Sequence, residues 1–406
     1  MLKNRRITLA VTGGIAAYKT CELVRGLIRA GADVRCAMSA KACEFVGPLT
    51  FEALTGHPVA AEGRPYAESA MAHIDLTRGA DLLVVMPATA NVIAKAACGI
   101  ADELISSTIL ARRCPVVFVP AMNCHMWNNP ATQRNVAQLR ADGAFFIGPA
   151  EGAQACGDTG AGRMTEPEDV LDLLDGIFTP KCLAGRRVIV TAGPTYERID
   201  DVRGITNRSS GRQGFAVARA ARDAGADVTL VAGPCALRTP AGVRRIDVVS
   251  AVEMGAQVKE VLEREGGADL FVGVAAVADW RVANAKPGKI KKGEGTLEGL
   301  RFEENPDILA FVARRGDVKV SVGFAAEAGK LEIETAARDK CVAKGADMIV
   351  GNIASAALGS DTNTVLFVTP KGCDACGPAP KSEVAREIIV RAARLIEEKE
   401  TQEGKH

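Results

Sequence analysis

A chain of 406 residues with 48% hydrophobic and 24% charged residues has the make-up of a globular protein of two or three domains, each long enough to bury its own core. A net charge of +1 excludes a broad field that would recruit nucleic acid or a membrane surface, and 4% aromatic residues are too few for base-stacking platforms. The 12 cysteines are scattered rather than packed into a small scaffold, no stretch approaches the roughly 18 apolar residues of a membrane span, and MLKNRR meets a glycine turn too soon for a signal peptide, so a reduced, cytoplasmic protein is expected.

The first element is the β-prone run ITLAV, which enters the turn TGGIAAYK, a helical pattern, and then GADV with a second strand. Gly-Ala-Asp followed by a strand recurs at Gly79 (GADLLVVMPATAN), Gly267 (GADLFVGVAAVADW) and Gly345 (GADMIVGN). After Cys182 the opening theme returns as GRRVIVTAGPT and GFAVARAARDAGADVTLVAG. Continuous apolar strands such as LLVVM and MIV suit parallel sheets covered on both faces. Each half is therefore expected to be a doubly wound, Rossmann-like three-layer α/β domain with ligands at the carboxyl ends of its strands. The join falls in Phe178–Gly185, giving domains 1–180 and 181–406. The segment Lys286–Gly299 (KPGKIKKGEGTLEG) reads as a mobile loop, and the tail EEKETQEGKH as frayed.

Neither glycine turn completes GxGxxG or a Walker A motif, which weakens a dinucleotide reading. TGGIAAYK suits a mononucleotide phosphate, because amides at a helix start need no side chain. After the strand VVFVP, the stretch PAMNCHMW holds an Asn, two Met and one of the 2 Trp of the chain, which is poor core material. ACGDTGAGRM sets Cys156 among glycines, in a stretch that reads as mobile. In the second half, the Ser-Gly loop of VRGITNRSSGRQG opens a helix and suits a triphosphate. AAVADW puts Asp279 at a strand end, where a carboxylate can meet a ribose or a metal. Lys289 heads KIKK, a cluster able to close on phosphates. Cys373 and Cys376 form a CxxC without a second pair, expected to be a cysteine-bearing turn rather than a zinc site.

Taken in order, TGGIAAYK, His73 in AHIDL, PATANVIAKAACGIADEL, PAMNCHMW and ACGDTGAGRM resemble the FMN-dependent cysteine decarboxylases. The second half resembles the ligase partner of the same pathway. Over nearly its whole length the chain is similar to the bifunctional phosphopantothenoylcysteine decarboxylase/phosphopantothenate–cysteine ligase family of coenzyme A biosynthesis. The chemistry fits the need: loss of CO₂ beside an amide nitrogen requires an electron sink, and a flavin that oxidises the cysteine thiol to a thioaldehyde creates one.

The resemblance implies roles by position. His73 is the base assisting thiol oxidation, Asn123 holds the substrate carboxylate, and Cys156 on its closing flap returns the proton. FMN contacts fall on Gly13, Gly14, Ile15, Ser39, Thr89, Ala90, Asn91 and Ala121. In the second half CTP is the co-substrate with Mg²⁺, through an acyl-cytidylate. Asn207 and Arg203 hold that intermediate, and Lys289 stabilises the charge as it forms. Nucleotide contacts fall on Ala275, Ala276, Val277, Asp279, Asn305, Pro306, Asp307, Ile308, Phe324, Lys340 and Lys344, with Asp279 also a metal ligand. A homo-oligomer of trimeric flavin domains and dimeric ligase domains is implied, with small-molecule substrates and neither nucleic acid nor membrane as partner. Two departures are visible: Gly211-Arg212-Gln213-Gly214 stands where the family commonly has GKMG, and Leu358 where it often has Phe. The rival readings are a flavoprotein decarboxylase with a non-catalytic second half, a flavin-binding regulatory protein, and a nicotinamide dehydrogenase. The joint presence of His73, Asn123 and Cys156 speaks against the regulatory protein, and the missing fingerprint against the dehydrogenase.

Overall fold

The apolar strands pair as their composition requires. The computed structural model describes residues 1–406 except 65, 67–70, 286, 290–298, 328–332, 354–361 and 404–406. The chain divides into two units, Met1–Phe178 and Thr179–His406.

In the first unit, β1 (Arg6–Val11), β2 (Asp33–Met38), β3 (Ala60–Ala61), β4 (Leu82–Ala88), β5 (Val116–Pro120) and β6 (Phe145–Phe146) form a parallel sheet in the order β3-β2-β1-β4-β5-β6. Every residue of β4 is buried, as a strand covered on both faces demands. Helices Thr20–Arg29 and Pro167–Ile177 supply Leu23, Leu27, Val170 and Leu174 to one face. Helices Ala90–Cys98, Leu104–Ala111 and Pro130–Ala141 supply Ile93, Ile109 and Leu139 to the other. The strand order reverses between β1 and β4, which opens a crevice at their carboxyl ends. The glycine-rich stretch read as a flap is a separate antiparallel hairpin of β7 (Ala150–Ala153) and β8 (Thr159–Arg163).

In the second unit, β9 (Arg187–Ala192), β12 (Asp227–Ala232), β13 (Arg244–Asp247), β14 (Ala268–Gly273), β17 (Val318–Glu327) and β18 (Met348–Ile353) run parallel in the order β13-β12-β9-β14-β17-β18. Two hairpins, β10 (Tyr196–Arg198) with β11 (Gly204–Thr206) and β15 (Trp280–Val282) with β16 (Phe302–Glu304), branch from the strand ends. The sheet continues past β18 through β19 (Thr362–Thr369) and β20 (Gly372–Pro380), both antiparallel, so it is mixed. Only two residues join β19 to β20, too few for a parallel crossover. This corrects the expectation for Cys373 and Cys376: they lie on β20, not in a turn. Three apart on a strand they face opposite ways, Cys373 towards the apolar cluster that holds Cys341 and Val368, and Cys376 towards the one that holds Val365 and Ile388. Their sulfurs therefore cannot converge on one zinc.

All 12 cysteines are unpaired. Among the described residues no helix is long and apolar enough to cross a membrane. Lys289 and its neighbours Pro287 and Gly288 are described, whereas Lys286, most of the rest of the KPGKIKKGEGTLEG segment and Leu358 lie outside the described residues.

Candidate functional sites

The carboxyl ends of β1, β2, β4 and β5 bring the residues expected at a flavin together. A Cβ at Gly13 would fall 2.3 Å from Lys41 Cβ, so only glycine fits this turn. Gly14 starts the short helix Ile15–Lys19 without a side-chain cap, leaving its first amides to a ligand. Thr12 Oγ1 donates to the Pro87 carbonyl at 2.6 Å, tying the end of β1 to that of β4. Ser39 caps helix Ala40–Phe45 by accepting from Ala42 N, and Thr89 caps Ala90–Cys98 by accepting from Val92 N. Asn91 stands exposed in that first turn, and Ala121 N donates to the Ala88 carbonyl at 3.0 Å.

Directly beyond β5 the chain meets the hairpin. Asn123 caps helix Cys124–Asn128, its Oδ1 accepting from His125 N at 2.9 Å. Its Nδ2 donates to Asp158 Oδ2 at 2.6 Å and to Cys156 Sγ at 3.2 Å. The Cys156 thiol in turn donates to Asp158 Oδ2 at 3.5 Å. Gln154 Oε1 accepts from Cys124 N at 3.0 Å, and Met122 N donates to the Gly162 carbonyl at 3.0 Å. Glycine makes this docking possible: a Cβ at Gly162, whose φ is +141°, would fall 2.4 Å from the Met122 carbonyl oxygen. The amide of Asn123, and next the thiol of Cys156, hold the Asp158 carboxyl below its ordinary pKa. Amide, thiol and carboxylate thus meet at one point.

The structure therefore brings Asn123 and Cys156 together, and adds Asp158 and Gln154, which the sequence reading passed over although they flank Cys156. His73 is half-buried in the four-residue helix Ala72–Asp75. Among the described residues its ring makes no hydrogen bond to Asn123, Cys156 or Asp158.

The second unit holds a cavity of about 750 Å³ at the carboxyl ends of β9 and β14, where its strand order reverses. Its walls include Asn207 and Ser209 to Gly214, Ala275 to Asp279, Asn305 to Ile308, Phe324, Lys340 and Lys344. Asn207 Nδ2 donates to the carbonyls of Ala276 and Val277, both at 3.1 Å, fixing the loop after β11 against the loop after β14. Asn305 Nδ2 reaches the Ala278 carbonyl at 2.8 Å, and Lys340 Nζ the Phe324 carbonyl at 2.7 Å. Asp307 caps helix Ile308–Ala313 and pairs with Lys344. Burial raises the Asp307 pKa, but Lys344 and the Ala310 amide outweigh it and leave the carboxyl below its ordinary value. The twelve-residue helix Arg212–Asp223 starts at Gly211, at φ +75°, with no side-chain cap, so its amides face the cavity as anion donors. Asp279 is exposed on the wall.

Arg203 and Lys289 are not on the walls. Arg203 is held by two bonds to the buried Asp200, Nε at 3.0 Å and Nη2 at 2.6 Å from Oδ2. Lys289 is exposed, and the amide of its neighbour Gly288 donates to Asp201 Oδ2 at 2.5 Å. The two segments are thus tied to each other, and neither lines the cavity. The cavity also takes in Thr191, Asn352, Asn363 and Lys381, which carry no motif and reach it only through the sheet order. Of the changed pair Arg212-Gln213, Gln213 Nε2 donates to the Lys381 carbonyl at 3.2 Å.

Family matches cover both units. Residues 1–179 match the flavoprotein family, and residues 183–395 match the C-terminal domain of DNA/pantothenate metabolism flavoproteins. The molecule is thus a two-domain flavoprotein of pantothenate metabolism. It is 44% identical over 395 residues to the coenzyme A biosynthesis bifunctional protein CoaBC of Vibrio cholerae, covering 96% of this chain and 98% of that one. Identity to the same protein of Escherichia coli K12 is 43% over 397 residues (96% of each), and of Bacillus subtilis 42% over 404 residues (97% and 98%). The solved C-terminal domain of a CoaBC is similar at 34% identity over 54% of this chain and 99% of its own, TM-score 0.45. The FMN-dependent cysteine decarboxylase SpaF is similar at 38% identity over 40% of this chain and 91% of its own, TM-score 0.36. The chain belongs to the family of coenzyme A biosynthesis bifunctional proteins, enzymes that join a decarboxylase to a ligase.

Proposed function

We propose that residues 181–406 condense 4'-phosphopantothenate with cysteine at the expense of CTP, and that residues 1–180 decarboxylate the resulting phosphopantothenoylcysteine to 4'-phosphopantetheine. The observation that carries the reading is the meeting of Asn123, Cys156 and Asp158 where the hairpin docks on the loop after β5.

The first unit fits FMN. The Gly13 turn leaves no room for a side chain, and the uncapped amides after Gly14 suit a phosphate. Ser39, Thr89, Ala90, Asn91 and Ala121 would line the rest of the flavin. FMN when bound would accept two electrons from the substrate thiol, which makes the carboxylate labile, and would return them after CO₂ has left. The chain's residues do the remainder. Asn123 Nδ2, now on Asp158, is the donor that would turn to the substrate carboxylate. Cys156 would deliver the proton, with Asp158 and Gln154 fixing the turn that carries it. His73 would take the thiol proton. With substrate bound, the hairpin would close over it and keep water from the reacting atoms.

In the second unit, the amides at Gly211 to Gln213 would receive the triphosphate, and Ala275 to Val277 with Asn305 to Ile308 the nucleoside. Asp279, an exposed carboxylate on the wall, suits a hydrated Mg²⁺. Asn207 would orient the acyl-cytidylate for attack by the cysteine amine, with CMP leaving. Lys289 and Arg203, whose segments are joined by the Gly288–Asp201 bond, would close on the developing charge. The enzyme would act in the cytoplasm as a homo-oligomer.

The test is incubation of the purified chain with 4'-phosphopantothenate, cysteine, Mg²⁺ and either CTP or ATP, followed by mass spectrometry. The expected products are 4'-phosphopantetheine, CO₂, CMP and pyrophosphate. A stop at phosphopantothenoylcysteine would remove the decarboxylase assignment, and absence of condensation would remove the ligase.

A further inference from the structure

The docked hairpin gathers three groups, two of which the proposed reaction leaves idle: the thiol of Cys124, the imidazole of His125 and, with them, the carboxylate of Asp158. One ligating atom from each lies within 4.8 Å of the other two, with Cys124 buried and Asp158 half-buried. A tetrahedral zinc ion, with bonds of about 2.0–2.3 Å, holds its ligands roughly 3.3–3.8 Å apart. Side-chain movement of about 1 Å closes the set.

The surroundings suit such a centre. A Cβ at Gly160, at φ +152°, would fall 3.1 Å from Cys124 Cβ and 3.6 Å from its sulfur, so glycine keeps the space beside that sulfur open. Asn123 Nδ2 orients the Asp158 carboxylate at 2.6 Å, and Gln154 Oε1 fixes the Cys124 amide at 3.0 Å. Outer partners of this kind set ligand direction. One thiolate, one imidazole and one carboxylate favour a thiophilic divalent ion over Mg²⁺, which demands oxygen ligands.

We propose that Cys124, His125 and Asp158 form a binding site for a thiophilic divalent cation, Zn²⁺ first, with an open fourth position. Binding releases the Cys124 thiol proton to solvent. Two ligands come from the helix after β5 and one from the hairpin turn, so the cation clamps the hairpin shut. Cys156 Sγ is 3.5 Å from Asp158 Oδ2, which puts the cation beside the thiol assigned to proton delivery. Zn²⁺ then stops decarboxylation and spares ligation. This last consequence rests on the role proposed for Cys156, and the binding does not.

Co²⁺ serves as the probe, added to the full chain carrying FMN, because its tetrahedral ligand-field bands lie to the red of flavin absorption. The wild type is expected to show these bands at one equivalent and to lose them to Zn²⁺. Cys124→Ser and His125→Gln are each expected to bind Co²⁺ more than about tenfold more weakly, with flavin content unchanged to show that they fold. Equal Co²⁺ binding by wild type and both variants overturns the site. In the activity arm, Zn²⁺ is expected to slow decarboxylation of phosphopantothenoylcysteine by wild type but not by Cys124→Ser, with CMP release unaffected. Co²⁺ bands lost in the variants, with decarboxylation indifferent to Zn²⁺, leave the site standing and overturn the clamp on Cys156.

Discussion

Cys156 owes its position to a partner far along the chain as well as to its own turn. Asn123 lies 33 residues before it and donates to its sulfur. Asp158, two residues on, accepts from both groups, so the thiol is aimed although it is exposed. A serine in this place keeps the hydrogen-bonding pattern but is a far weaker acid. Cys156→Ser is expected to allow oxidation and loss of CO₂, then to stall with the flavin still reduced and product formation down by about 10²–10⁴. Flavin absorbance in stopped flow and mass spectrometry of the bound species would read this. Normal turnover by the variant would take Cys156 out of the mechanism. Asn123 and Cys156 were legible because each stands in an unusual stretch. Asp158 and Gln154 were not, since their work depends on the hairpin folding back on the loop after β5. That contact has no local signal.

The helix Arg212–Asp223 reaches the cavity because it packs closely against the end of β9. A Cβ at Gly214 would fall 2.5 Å from Ala192 Cβ and 3.0 Å from its Cα, so the approach is set by glycine. Gly214→Ala gains about 1 kcal/mol of helix propensity but must push the helix outward, at about 1–3 kcal/mol. The expected result is lower resistance of the second unit to urea together with a raised KM for the nucleotide, because the amides at Gly211 to Gln213 move with the helix. Unchanged stability and KM would show that the helix position is not set there. The same dependence on neighbours explains what the sequence concealed. The alternation of apolar strand and helix, punctuated by Gly-Ala-Asp, made the two parallel cores readable. β8 (TGAGR) and β20 (GCDACGPAP) have the composition of turns, and they are strands because partners hold them there. Arg203 stands outside the cavity for a related reason: the buried Asp200 claims its guanidinium, a pairing that needs the β10–β11 turn to form.

Each unit carries its own apolar core. Among the described residues, the buried clusters of the first unit draw only on positions up to 178, and those of the second only on positions from 183 onward. Each site also lies at the switch point of its own sheet, β1/β4 or β9/β14. A ligand that binds one native unit should therefore stabilise that unit alone. At a hundredfold excess over Kd the gain is about 2.7 kcal/mol, or roughly 5–11 °C for units of this size. Scanning calorimetry of the full chain is expected to show two transitions. FMN should move only the one assigned to residues 1–180, and CTP with Mg²⁺ only the other. Lys289→Gln should leave the FMN shift intact while pyrophosphate release is lost. A single transition moved by both ligands would mean that the two cores unfold as one, and the separation of decarboxylase from ligase would have to be abandoned at the level of stability.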